Sequence, residues 1–172
     1  FITNASTAEM VKLSENAYRD INIAFANELS VVCDSINVNV NELIKLSNRH
    51  PRVNILQPGT GVGGHCIAVD PWFIVSEFSK EAKIIRSARE INNYKTAWVV
   101  EKIKSTILEF ELQHKKKPKI ALMGLAFKPD IDDLRESPAL QVAEDLIARY
   151  KDQIILVEPN LKESEKYMLT DH

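Results

Sequence analysis

Two stretches of this chain place apolar residues at steps of three and four, the spacing that lines one side of an α-helix over many turns. The first runs through Leu13, Ala17, Ile21, Phe25, Leu29, Val32 and Ile36, behind a capping box at Ser6-Thr7-Ala8-Glu9. The second covers residues 84–113 through Ile84, Ala88, Ile91, Ala97, Val100, Ile103, Ile107 and Phe110. Between them, Asn39 caps a short helix carrying Leu43, Ile44 and Leu46, which stops near Asn48 because Pro51 cannot continue it. Residues 49–65 then read as a loop that holds four of the five glycines, and Cys66 heads the apolar segment beyond it at a helix start. After Pro118 the pattern changes. Lys119-Ile120-Ala121-Leu122-Met123 reads as a buried strand, Ser137-Pro138 as a cap with proline at the first helical position, and Ile154 to Val157 as a second strand. Two parallel strands are too few for a stable sheet, so the module beginning at Pro118 is expected to be truncated at His172. The fold class that follows is mainly α with a short α/β portion: a helical domain over residues 1–117, then a truncated β-α-β unit over 118–172. The apolar residues of the first helix outnumber what the short helix after it can cover, which predicts a homodimer through residues 7–36.

Composition excludes several classes. The net charge is −2 with both signs interspersed, and the one basic run, Lys115-Lys116-Lys117, reads as a solvated linker, so no nucleic-acid surface is expected. No apolar segment approaches the roughly 20 residues of a membrane span, and Phe1-Ile2-Thr3-Asn4 lacks a signal peptide's basic start and apolar core. Cys33 and Cys66 show no paired spacing, which points to a reducing compartment and a cytoplasmic protein.

The chemical candidates gather at three places. Gly59, Gly61 and Gly64 match G-x-G-x-x-G, but Pro58 interrupts any preceding strand and Pro71 disrupts the helix that should follow. These glycines therefore serve either a close approach to a bound ligand or a tight turn, and the residues leave both open. Cys66 follows this loop beside His65, with Asp70 four residues on. It is either a thiol activated at a helix N-terminus or a small soft residue packed under the loop, and packing is the commoner outcome for such a pattern. Lys12, Asn16 and Arg19 share one strip of the first helix, suited to an anionic or hydroxyl-rich ligand, or else solvated with Glu15 paired to Arg19. Residues 127–136 lie at the carboxyl end of a strand, where α/β units bind ligands. Their acidic cluster lacks the glycine and distal glutamate of a calcium loop, and His50, His65, His114 and His172 show no ligand spacing, so no metal is expected.

Several long segments occur in an order that resembles the UDP-glucose/GDP-mannose dehydrogenase family. They are Thr7-Ala8-Glu9-Met10-Val11-Lys12-Leu13, Asn27-Glu28-Leu29-Ser30, Asn48-Arg49-His50-Pro51-Arg52-Val53-Asn54-Ile55-Leu56, Gly63-Gly64-His65-Cys66-Ile67-Ala68-Val69-Asp70-Pro71-Trp72-Phe73, Gly124-Leu125-Ala126-Phe127-Lys128-Pro129 and Asp132-Asp133-Leu134-Arg135-Glu136-Ser137-Pro138. The middle segments are most similar to the branch acting on UDP-N-acetyl-D-mannosamine; UDP-N-acetylglucosamine and UDP-glucose are alternative substrates within the family. The resemblance implies that residues 1–117 are a central dimerisation domain carrying a catalytic cysteine. Residues 118–172 would begin the Rossmann-like C-terminal domain that binds the UDP-sugar. It further implies an NAD-binding domain ahead of Phe1, absent from this chain, so that the chain alone is inactive. Carried over by position, Cys66 is the nucleophile and Lys12 a proton donor or acceptor and oxyanion stabiliser, with Asn16 and Asp70 supporting water and proton movement. Lys12, Asn16, Arg19, His50, Arg52, Gly63, Phe127 and Lys128 would contact the nucleotide sugar, and Arg135 would approach NAD. Two other classes compete: a Cys66/His65 hydrolase, and a non-catalytic helical dimerisation scaffold.

Overall fold

The computed structural model describes residues 2–161; Phe1, His172 and the expected end of the β-α-β unit lie outside the described residues. Helix α1 (Ala5–Ser35) is capped by Asn4, whose Oδ1 accepts the Thr7 N–H at 2.8 Å. The helix thus starts ahead of the expected Ser6–Glu9 capping box, because an Asn side chain one residue upstream already satisfies an orphan donor of the first turn. Helix α2 (Val40–Ser47) is capped by Asn39, as its sequence predicts. After the glycine loop come α3 (Asp70–Glu77), α4 (Lys83–His114), β1 (Ile120–Met123), α5 (Pro138–Tyr150) and β2 (Ile154–Val157). Ser137 caps α5 with Pro138 at its first position. The strands pair in parallel from Ile120↔Ile154 to Met123↔Val157. The fold is mainly helical with one short parallel sheet.

Helix α4 joins the two parts. Its C-terminal half packs through Val100 and Ile107 against Val142, Leu146 and Tyr150 of α5, with Ile120, Leu122 and Ile154 of the strands beside them. Among the described residues the strands are covered on this side only. Ala121, Met123 and Ile155 are exposed, which corrects the expectation of a wholly buried β1: one α-helix shields one face of a two-stranded pair.

The N-terminal half of α4 packs on α1 through a polar seam. Asn27 donates to Asn92 Oδ1 at 2.9 Å, Asn92 donates to Asp20 Oδ1 at 2.8 Å, and Arg89 donates to the same oxygen at 2.8 Å. Lys95 Nζ donates to Ser30 Oγ at 2.5 Å and lies over the Trp98 ring. All of these groups except Trp98 are buried, with Ala17, Ala24, Ala26, Cys33 and Ala88 filling the space between them. Burial pushes the Asp20 carboxyl up, against the pull of Arg89 and Asn92. The mutual bonds offset most of the cost of burying these groups, although Asp20 Oδ2 and Arg89 Nε are left without a hydrogen-bond partner among the described residues.

The expected apolar stripe of α1 is therefore covered only in part. Its periodicity is helical, with Ala17 buried and Leu13, Ile21 and Leu29 half-buried, but Phe25, Val32 and Ile36 are 54%, 49% and 63% exposed. Ile84, expected on the apolar side of α4, is likewise exposed. Small and polar residues let two helix backbones approach and pair, so they occupy the α1–α4 contact in place of the bulky stripe. Among the described residues no helix is long and apolar enough to cross a membrane.

Candidate active site

Cys66 is an exposed free thiol, whereas Cys33 is buried in α1. It stands in a turn one helical step ahead of α3: its carbonyl accepts the N–H groups of Val69 at 3.2 Å and Asp70 at 2.8 Å. The helix proper begins at Asp70, so Cys66 does not start a helix as its sequence suggested. The Gly64-His65-Cys66 turn and the bond to Asp70 produce a single helical turn that runs into α3.

Asp70 ties this turn to α1. Its Oδ2 accepts from Asn16 Nδ2 at 2.6 Å, and Asn16 is 1% exposed. Trp72, Ile74 and Val75 of α3 pack against Leu13 and Ala17, the neighbours of that asparagine. Lys12 lies one turn before Asn16, exposed, with its Nζ 3.7 Å from Glu15. Glu15 therefore pairs back to Lys12 and not forward to Arg19 as the solvated reading had it, while Arg19 is exposed on the same strip. The Cys66 turn thus carries an exposed thiol and, one turn on, a carboxylate bonded to a buried amide of α1, while Lys12 presents an ammonium on α1 one turn before that amide.

The glycine loop is held from both sides. Asn27 Oδ1 accepts the Gly59 N–H at 2.8 Å, and Thr96 Oγ1 donates to the Thr60 carbonyl at 2.8 Å. A Cβ on Gly61 would stand 2.5 Å from Thr96 Oγ1, and one on Gly64 would stand 2.8 Å from the Phe127 ring. Gly63 meets the Glu136 carbonyl, Phe127 and Pro138 in the same way. Of the two expected reasons for these glycines, a tight turn accounts for Gly61 and Gly64 at φ +147° and +82°, and the close approach is to another segment of the chain. The loop is wedged under residues 127–138, with Gly64 N–H donating to the Arg135 carbonyl at 3.3 Å.

Residues 127–136 supply the other wall. Phe127 N–H donates to the Asp133 carbonyl, closing this loop, and Lys128 Nζ is exposed 5.6 Å from the Phe127 ring centre. Arg135 is clamped by Asp133, with Nε to Oδ1 at 2.8 Å and a second nitrogen to Oδ2 at 2.6 Å. Its remaining terminal nitrogen meets His65 Nε2. The Arg135 hydrogen bonds hold the Asp133 carboxyl down at about 2. Arg135 therefore bridges the C-terminal loop to the residue beside Cys66, and neither its pairing with Asp133 nor that with His65 was read from the sequence. The Asp-x-Arg spacing was the available signal for the first; nothing local signals the second.

His50 and Arg52 are exposed on the loop after α2, where the Arg52 N–H donates to His50 Nδ1 at 3.2 Å. Among the described residues no hydrogen bond joins them to the Cys66 turn. A cleft of about 760 Å³ opens between α3–α4 and the segment leading into α5, lined in part by Val69, Arg89, Thr96, Glu136 and Gln141. It adjoins the Cys66 turn through Ala68 and Val69 without including the thiol.

The central-domain model of the UDP-glucose/GDP-mannose dehydrogenase family matches residues 6–94, and the UDP-binding-domain model of that family matches 121–172. This chain belongs to that family. It is 64% identical over 162 residues to the UDP-N-acetyl-D-mannosamine dehydrogenase of Campylobacter jejuni, covering 94% of this chain and 39% of that protein. Identity is 56% over 161 residues to the NDP-N-acetyl-D-galactosaminuronic acid dehydrogenase of Ralstonia nicotianae, covering 94% and 37%. Among solved structures, the UDP-N-acetyl-mannosamine dehydrogenase of Staphylococcus aureus superposes with a TM-score of 0.81 at 47% identity, covering 93% of this chain and 37% of that one. The chain thus spans about two fifths of the length of the relatives it matches.

Proposed function

We propose that this chain forms the cysteine and nucleotide-sugar portion of an NAD-dependent UDP-N-acetyl-D-mannosamine 6-dehydrogenase. The observation that carries the reading is the exposed Cys66 thiol one helical turn from Asp70, whose carboxylate is fixed by buried Asn16 of α1. In this reading residues 1–117 are the dimerisation and cysteine domain, residues 118–172 begin the UDP-sugar domain, and the protein is a cytoplasmic homodimer. The exposed part of the α1 apolar stripe supports the dimer.

Oxidising a C6 alcohol to a carboxylate removes two hydrides, which NAD accepts when bound. Once the alcohol has become an aldehyde, the Cys66 sulfur adds to the carbonyl carbon and the oxygen takes a proton, giving a thiohemiacetal. Loss of the second hydride from that carbon leaves a thioester. Water then adds, the C–S bond breaks, and the acid leaves with the thiol regenerated. Negative charge develops on the C6 oxygen at each addition. Lys12 answers it with an ammonium, while the Asn16–Asp70 pair orders the water and the protons beside the thiol.

Among the described residues no pyrophosphate cradle for NAD is formed. Gly61, Gly63 and Gly64 are packed under Phe127 and Pro138, and the backbone donors at the end of β1 are engaged by Glu158. Arg135, beside His65, is the residue that the family resemblance places toward the cofactor. The hydrolase reading is weakened by the same contact, because His65 Nε2 is engaged by Arg135. The relatives of similar identity act on different sugars by name, and the mannosamine epimer is chosen on the higher of the two identities.

The test is Lys12→Ala in the intact protein, with NADH formation and direct nucleotide-sugar binding measured side by side. Turnover should fall by roughly a hundredfold or more with a much smaller change in affinity, as for a group that acts mainly on the transition state. Normal turnover with weakened binding would make Lys12 a ground-state contact and end this assignment.

A further inference from the structure

In a dinucleotide-binding β-α-β unit, the turn after the first strand offers backbone N–H groups to a phosphate. Here those donors have an internal acceptor. Glu158 directly follows β2 and is 6% exposed. Its Oε2 accepts the N–H groups of Leu125 at 2.8 Å and Ala126 at 3.1 Å, and its Oε1 accepts the Asn160 N–H at 3.1 Å. Leu125 is also held by its carbonyl, which accepts from Ser137 Oγ at 2.6 Å, and its side chain is buried against Ala143 and Leu161. Gly124, at φ +90°, makes the bend that lets the chain leave β1 in this direction. The next two residues are Phe127 and Lys128.

Two consequences follow. A carboxylate with three N–H donors sits where an anionic group of a nucleotide would otherwise bind, so the nucleotide must be met by side chains further along the loop. The starting point of that loop is set by Glu158 from one side and Ser137 from the other. We propose that Glu158 is a positioning residue for nucleotide-sugar binding: it fills the anion position at the end of β1 and so fixes the loop that presents Phe127 and Lys128 to the substrate. This rests on the reading of Phe127 and Lys128 as substrate contacts. The Leu125 N–H, with those of Asn160 and Ala126, holds the Glu158 carboxyl below its ordinary range, so it stays ionised at neutral pH. A glutamine cannot replace it. The amide has one acceptor oxygen, and its NH2 group would face either the Leu125 and Ala126 donors or the Asn160 donor.

The experiment is a double-mutant cycle on the intact protein, E158Q against K128A, reading KM for UDP-N-acetyl-D-mannosamine and kcat. E158Q should raise KM about tenfold or more with a smaller fall in kcat, because it acts first on the substrate loop and reaches the Cys66 turn only through Arg135 and His65. K128A should raise KM as well, and the double variant should raise it by less than the product of the two, since Glu158 acts through the loop that carries Lys128. If K128A raises KM and E158Q leaves it within about twofold, or if the two effects multiply, the inference is overturned. A silent K128A would instead break the substrate reading beneath it, and the inference with it. Hydrogen exchange on the unaltered protein needs no variant to fold: the Leu125 and Ala126 amides should be protected, and free exchange of both would overturn the inference.

Discussion

Replacing Asn27 by alanine tests the polar seam and its link to the candidate site together. Asn27 is 0% exposed, and its carboxamide makes one bond in each direction: it donates to Asn92 Oδ1 at 2.9 Å and accepts from the Gly59 N–H at 2.8 Å. Alanine removes both: it leaves the buried Asn92 carbonyl oxygen without this partner, while the Gly59 N–H, on an exposed residue, is left to water. At about 1–3 kcal/mol for the buried orphan, the cost is a sizeable share of a domain's usual 5–15 kcal/mol. With a urea dependence of about 2 kcal/mol per molar, the unfolding midpoint should fall by about 0.5–1.5 M. Urea denaturation followed by far-UV circular dichroism reads this directly. Asn27→Asp should be no better: it keeps an acceptor for Gly59 but turns a lone pair toward Asn92 Oδ1 and buries a charge close to Asp20. Gly59 anchors the loop that leads to Cys66, so alkylation of Cys66 should also change in the alanine variant. A midpoint shift under about 0.3 M would refute the reasoning, because it would mean the buried Asn92 oxygen finds another partner at no cost.

Two further outcomes follow from the structure. Phe25→Glu on the exposed stripe of α1 should convert the protein from dimer to monomer at tens of micromolar in sedimentation equilibrium, a range in which a modest interface is populated; a monomeric parent would remove the dimer reading. Asp133 should titrate near 2 by NMR, and Arg135→Ala should return it toward 3.8. Because its folded value is depressed, the Asp133–Arg135 contribution to stability is fully present above 3.8 and is lost as pH falls through about 2. An unshifted Asp133 in the parent protein would show that the clamp does not form in solution.

Element types and spans were largely legible in the sequence because they rest on local signals. Asn39 and Ser137 mark two helix starts, Pro51 and Pro118 mark two breaks, and the long periods of α1 and α4 survive folding. The buried face of α1 was legible only in part. It is chosen by Asp20 and Asn27 pairing with Arg89 and Asn92, partners 65 to 72 residues away, and no local period reports such pairs. A bulky apolar stripe looks like a core face unless those pairings are known. Around the site, the four-residue spacing of Cys66 and Asp70 was informative because a single helical turn realises it. The contact of Asp70 with Asn16, 54 residues earlier, became visible only when the Cys66 turn was seen packed on α1. Glu158 escaped notice for a similar reason: it reads as a polar end to a strand until its carboxylate is found on the Leu125 and Ala126 amides.

The central claim is that Cys66 holds the intermediate aldehyde as a covalent adduct so that a second hydride can leave. Counting NADH released per nucleotide sugar in a single turnover of the intact protein tests it most directly. The account predicts two equivalents for the parent protein and no more than one for Cys66→Ala, in which oxidation can reach the aldehyde but no thiohemiacetal forms. Two equivalents and full conversion to the uronic acid by Cys66→Ala would contradict it.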